Sequence, residues 1–246
     1  GLDTEDATRT HSLALAEGLE AVREAEDFLP RGARLEADLD LAAIVRGHRT
    51  PVLKQQASDS LTPMVALKTY FTFAQERLAA AMGDEVAGSM ALHGLGKLHA
   101  AAARNPAVEL PAAEPKAVAF FQAALLVHPN NLMAANDLGV LLARAGHWIG
   151  ARRVLEHAVA VNPQSISWRN LAKVHDHLGD KDKAQYAQRM ADAIAKQTAR
   201  GGRSAGSDKV RWLSPAAFAA THVDSRVHAA PHTSQVPSSV SRSHRR

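Results

Sequence analysis

A phrase of small residues occurs twice in this chain, the copies 33 residues apart. The first copy reads Leu138-Gly139, Gly146, Ala151, Leu155, Ala158, Pro163; the second reads Leu171-Ala172, Gly179, Ala184, Gln188, Ala191. Repetition at a period of 20–50 residues marks stacked supersecondary units, each too small to bury its apolar face alone. Such arrays act mostly through their surfaces. The placement within each copy describes two antiparallel helices. Gly139 falls in mid-helix, where glycine costs about 1 kcal/mol relative to alanine, so it is expected there only if another backbone comes close. Ala151 and Ala158, seven apart, lay two minimal side chains on one stripe of the second helix. Gly146 suits the left-handed end of a helix, and Pro163 stops the next one.

Punctuation elsewhere is also helical. The spacing predicts helices over 4–28, 35–46, 62–82, 89–104, 116–128, 132–145, 148–161, 165–178 and 181–197. Along the first of these, Leu13, Leu15, Leu19, Val22, Ala25 and Phe28 keep roughly helical spacing, with Pro30 and Gly32 as the stop. Thr62-Pro63 reads as an N-cap followed by proline in the first helical position, and Gly83 ends that helix. The composition agrees: 46% of residues are hydrophobic but only 4% aromatic, which favours closely packed helices over sheets. With no cysteine, disulfides, thiolate metal sites and a cysteine nucleophile are excluded. No apolar run reaches the roughly 20 residues that a membrane-spanning helix needs.

The two copies, with their neighbours, resemble the tetratricopeptide repeat. Unit 165–197 carries Trp168, Leu171-Ala172, His175 in the tyrosine place, Gly179-Asp180, Ala184 and Ala191; unit 132–164 carries Ala135, Leu138-Gly139, Leu142, Gly146, Ala151, Leu155, Ala158 and Pro163. An earlier unit, about 89–131, carries Leu92, Leu95-Gly96, His99, Ala117, Phe121, Ala124 and Pro129, with Pro106–Pro115 as an insertion between its helices. Ala74, Leu78 and Ala81 stand in phase for the second helix of a degenerate half unit, 62–88. The resemblance implies an all-α array of helical hairpins, an α-solenoid over 62–198. Residues 1–61 match no repeat and read as an N-terminal helical cap, or as a separate small domain.

The resemblance also places a concave groove on the first helices of successive units. Its exposed positions would be His93, Lys97, Asn136, Val140, Arg144, Arg169, Asn170, Lys173 and His177. All but Val140 can donate to a carboxylate, so the groove is expected to take a protein or peptide partner with acidic character. The competing reading is a plain solvated face. The clamp that some family members use for a C-terminal carboxylate is matched only in part by Asn136, Asn170 and Lys173.

Other features point away from catalysis. His175 and His177 stand two apart and diverge on a helix, whereas helical zinc chelation wants a spacing of four. His228 and His232 have that spacing but flank Pro231. Gly202-Arg203-Ser204-Ala205-Gly206 has the letters of a nucleophile elbow without the strand that the elbow requires. The expectation is a non-catalytic scaffold or adaptor with no cofactor and no metal. The alternatives are an accessory or regulatory module of a larger enzyme or envelope assembly, and a nucleic-acid-associated protein that acts through its basic tail.

Charge is uneven. Residues 199–246 carry +6 and the remainder −2. Past about 198 the composition turns to Gly, Ser, Arg, His and Pro, with Gly201-Gly202 as the break, and is expected to be disordered. Within this basic tail, 210–220 holds an apolar island, Trp212, Leu213 and Phe218. It is read as a segment that seals the last repeat, as a linear motif for a partner, or as an exposed remnant. The tail lacks the aromatic interleaving of single-strand stacking surfaces, which argues against nucleic acid. The chain opens on Gly1 rather than methionine, so a fragment or processed form is expected and compartment stays open.

Overall fold

The structure, a computed structural model, describes residues 2–29, 39–55 and 61–204. The chain divides into two compact units, 1–200 and 201–246, and the described side chains belong to the first. The described residues are all-α, with no strand among them. Helix α1 spans Leu2–Glu24 and tightens into a 3₁₀ turn at Ala25–Phe28; α2 spans Leu41–Gly47, α3 Pro63–Met82, α4 Val86–Ala102 and α5 Ala113–Val127. Helices α6 (Leu132–Arg144), α7 (Trp148–Val161), α8 (Ser165–His177) and α9 (Lys181–Ser204) follow.

Helix ends follow the local chemistry. The Thr62 hydroxyl accepts from the Val65 amide at 3.2 Å ahead of Pro63, and the Asn131 side chain accepts from the Ala134 amide at 3.0 Å. These bonds satisfy donors that a helix N-terminus leaves open. Gly146 and Gly179, 33 residues apart, hold φ of 81° and 82°. Beyond each, the chain folds back identically: His147 N donates to Leu142 O at 2.8 Å, and Asp180 N to His175 O at 2.9 Å. Each is a left-handed helix stop that recovers an orphan carbonyl. Pro115, expected to lie before its helix, sits inside the first turn of α5, where the missing N–H costs nothing. At the other end α9 runs on through Gly201-Gly202 to Ser204.

The helices pack as neighbours: α1 along α3, α4 along α5, α6 along α7, and α7 against α8. Small residues set how closely. A Cβ on Gly18 would lie 2.8 Å from Leu78 Cγ; on Gly96, 2.5 Å from Phe121; on Gly139, 2.5 Å from Leu155 Cγ. The close neighbour of Gly139 is therefore a leucine side chain rather than the backbone the sequence suggested. The same closeness reverses α1. Leu13, Leu15 and Leu19 are exposed, while Ala14, Gly18, Ala21, Val22 and Ala25 face the core with Phe28. Near α3, close packing leaves room only for small side chains.

The largest core cluster joins Val22, Phe28, Val45, Val52, Tyr70, Phe71 and Leu78 to α5 through Ala119, Phe120 and Ala123. Two smaller ones follow, around Phe121, Leu138 and Leu141, and around Leu155, Leu171 and Val174 flanked by Trp148 and Trp168. No helix among the described residues is long and apolar enough to cross a membrane.

Candidate partner-binding groove

Helices α4, α6 and α8 lie side by side and carry one continuous line of polar contacts. The His93 ring meets the Asp137 carboxylate at 2.9 Å. Asn136 donates to the other Asp137 oxygen at 3.4 Å, and Asn170 donates to the Asn136 carbonyl at 2.9 Å. His93 is buried, only 5% exposed. This corrects the expectation that His93, Asn136 and Asn170 are open donors for a ligand. Their hydrogen-bonding groups meet one another and hold the three helices in register.

Beyond this ladder, toward the C-terminal ends of the same helices, two depressions adjoin. One is lined by Lys97, Arg104, Asp137, Val140 and Arg144 among others; the second by Val140, Arg144, Trp148, Asn170, Lys173 and His177. They share Val140 and Arg144, so they form one trough across α4, α6 and α8. Lys97, Arg104, Arg144 and Lys173 are all exposed there. Among the described residues, none of these four side chains has a hydrogen bond or ion pair. The acids beside them are engaged: Asp137 accepts from His93 and Asn136, and Asp176 pairs with Lys181 at 2.7 Å.

His177 is exposed and stacks on Trp148, with ring centroids 3.6 Å apart and planes 22° from parallel. Its neighbour His175 points into the core and lies 3.3 Å from Asp180. Arg169 is exposed on α8 but lines neither depression. The tail residues Trp212, Leu213 and Phe218, and the pair His228 and His232, lie outside the described residues.

Sequence reasoning missed Asp137, Arg104 and Trp148. Asp137 had a signal, since it shares a helical stripe with Val140 and Arg144. Arg104 stands seven after Lys97, just past the end of α4. Trp148 had none, because its contact with His177 joins two different helices.

A second polar cluster joins α1, the segment after α2, and α3. Glu24 is fully buried and accepts from the Arg49 amide, from the Thr50 amide at 3.3 Å and from the Thr50 hydroxyl. The His48 ring contacts the Tyr70 hydroxyl at 2.7 Å and Asp27 at 3.3 Å, and Tyr70 donates to Val52 O at 3.1 Å. Burial first, and then the Glu24 charge, push the Tyr70 hydroxyl up to about 12. These contacts tie the segment after α2 to the end of α1 and to α3. Among the described residues, no group of three or more His, Asp or Glu is placed to hold a metal ion.

Compared with protein-family models and with curated proteins, the chain matches none.

Proposed function

We propose that the chain is a tetratricopeptide-like helical array that acts as a non-catalytic scaffold, binding an acidic peptide segment of a partner in the trough across α4, α6 and α8. The observation that carries the reading is the set of unpaired cations, Lys97, Arg104, Arg144 and Lys173, around two adjoining depressions whose own acids are engaged. Cations gathered along one concave surface raise the local concentration of an anionic ligand and bond its carboxylates.

The array reading rests on recurrence. The stops at Gly146 and Gly179 repeat bond for bond, and Gly96 on Phe121 and Gly139 on Leu155 repeat one close contact. Gly18 on Leu78 extends that contact to the hairpin of α1 and α3, which closes the N-terminal end of the array. The described residues 25–29 and 39–55 then belong to an insertion within that hairpin, as 103–112 is within the next.

The test is a fluorescence anisotropy titration of the full chain with a Glu/Asp-rich peptide and with its Lys-rich counterpart. The acidic peptide binds and the basic one does not. Arg144→Glu combined with Lys173→Glu weakens the acidic peptide at least tenfold with an unchanged circular dichroism spectrum. Equal affinity for both peptides, or indifference to the double charge reversal, refutes the reading.

A further inference from the structure

The trough has a second edge. Met133 and Ile166 stand in the first turns of α6 and α8 and Met90 at the start of the second turn of α4; they are 49%, 48% and 42% exposed. Each lies on the stripe that leads into the trough: 90, 94 and 97 on α4, 133, 137, 140 and 144 on α6, and 166, 170, 173 and 177 on α8. Met90 faces α6, for the Asn131 amide reaches its sulfur at 3.9 Å. The face shared by α4, α6 and α8 is therefore banded across the helices: an apolar row, then the ladder from His93 to Asn170, then the cationic row. From Met90 to Lys97 and from Ile166 to Lys173 is seven residues, about 10 Å at 1.5 Å per residue; on α6 Val140 stands at that level and Arg144 one turn further, about 16 Å from Met133.

The geometry points to an amphipathic α-helix as the occupant, lying across α4, α6 and α8 with an apolar edge on Met90, Met133 and Ile166 and an acidic edge on Lys97, Arg144 and Lys173. The inference rests on the groove reading above and names the form of its ligand. The row separation decides it. An α-helix with its side chains is about 10–12 Å across, wide enough to meet both rows on α4 and α8, with the long Arg144 side chain leaning back toward the N-terminus of α6 to reach it. An extended chain tracking the cationic row would leave the apolar row exposed to water. Charge complementarity requires the polar edge to be acidic, since the trough offers four cations without a partner among the described residues. Methionine suits such a row, because its unbranched side chain adapts to varied apolar surfaces.

Two synthetic peptides of identical Leu/Glu/Ala composition test it against the full chain. One places leucines along one edge of a helix and glutamates along the other; the second permutes the residues to destroy that pattern. The patterned peptide binds at least tenfold tighter and gains helical circular dichroism on binding. Met133→Ser with Ile166→Ser weakens it about tenfold, as does Arg144→Glu with Lys173→Glu, while the chain's melting temperature stays within a few degrees. If the permuted peptide binds as well, and the apolar double variant changes nothing while charge reversal abolishes binding, the helix inference falls and the acidic groove stands. If charge reversal also has no effect, both fall. If neither peptide binds, the helical ligand is overturned.

Discussion

Gly139 stands so close to Leu155 that a Cβ added to it would lie 2.5 Å from the Leu155 Cγ and 2.8 Å from Cδ2. The contact explains a glycine in the middle of α6, where nothing in the backbone asks for one. Gly94, in the middle of α4, has no such neighbour within 4 Å. The two glycines therefore respond oppositely to alanine. Gly94→Ala gains helix propensity and stabilises by roughly 0.5–1 kcal/mol. Gly139→Ala makes the same gain but must displace Leu155 in a packed core, at about 1–3 kcal/mol, so the variant is expected to be less stable. Urea unfolding of both variants measures this. A stabilised Gly139→Ala would mean that the α6–α7 contact is looser than described.

Such contacts mark where the sequence was readable. The 33-residue phrase works because Gly146 and Gly179 each need a left-handed backbone, and Ala151 and Ala158 each sit at a crossing. These are local demands written in single letters. The caps at Thr62 and Asn131 are local too. The α1 stripe was misread because leucine spacing says which residues lie on one side of a helix, not which side meets a neighbour. Proximity to α3 gave the buried side to Ala14, Gly18 and Ala21. His93 was misread for a related reason: its partner Asp137 is 44 residues away on another helix. The banding of the groove was latent in the stripes of α4, α6 and α8, but only their adjacency makes rows of them.

Glu24 is the buried charge on which the N-terminal segment depends. Its carboxylate accepts from two amides and a hydroxyl of Arg49 and Thr50. Glu24→Ala strands these donors in the core, and hydrogen bonds to charged groups are worth about 1.5–3 kcal/mol each. The expected cost is about 3 kcal/mol or more, with amide hydrogen exchange accelerating first in 48–53 and at the end of α1. Melting and exchange measurements check it. Unchanged exchange at 49 and 50 would refute the role.

Two groups predict opposite pH limbs. Tyr70 is raised to about 12, so the unfolded chain loses its proton first as pH rises past the ordinary value of 10.0. Its contribution to stability is whole below 10.0 and is lost as pH climbs through 12. Tyr70→Phe flattens that limb. His99 is lowered from 6.5, first by burial and then by the Lys116 charge, and its Nδ1 has no hydrogen-bond partner. The unfolded chain therefore takes up this proton first, so the contribution is whole above 6.5 and falls as pH drops below it. His99→Phe, which keeps the stack on Phe120, weakens the acid dependence relative to the parent. Denaturation midpoints across pH decide both.

The groove itself makes a prediction about salt. Lys97, Arg104, Arg144 and Lys173 are exposed, so their attraction for an acidic ligand is screened over roughly 10 Å at 0.1 M salt and over about 3 Å at 1 M. Screening acts on the cationic row and leaves the apolar row of Met90, Met133 and Ile166 untouched or strengthened. Binding of the patterned acidic peptide should therefore weaken steeply between 0.05 and 0.3 M salt and then level off at a residual affinity set by the apolar edge. In the Arg144→Glu, Lys173→Glu chain the steep part disappears. In the Met133→Ser, Ile166→Ser chain the steep part stays and the residual affinity is lost. Titrations of the three chains over the same salt series separate the two rows. Parallel curves would mean that charge and apolar contact do not act from separate rows of the trough.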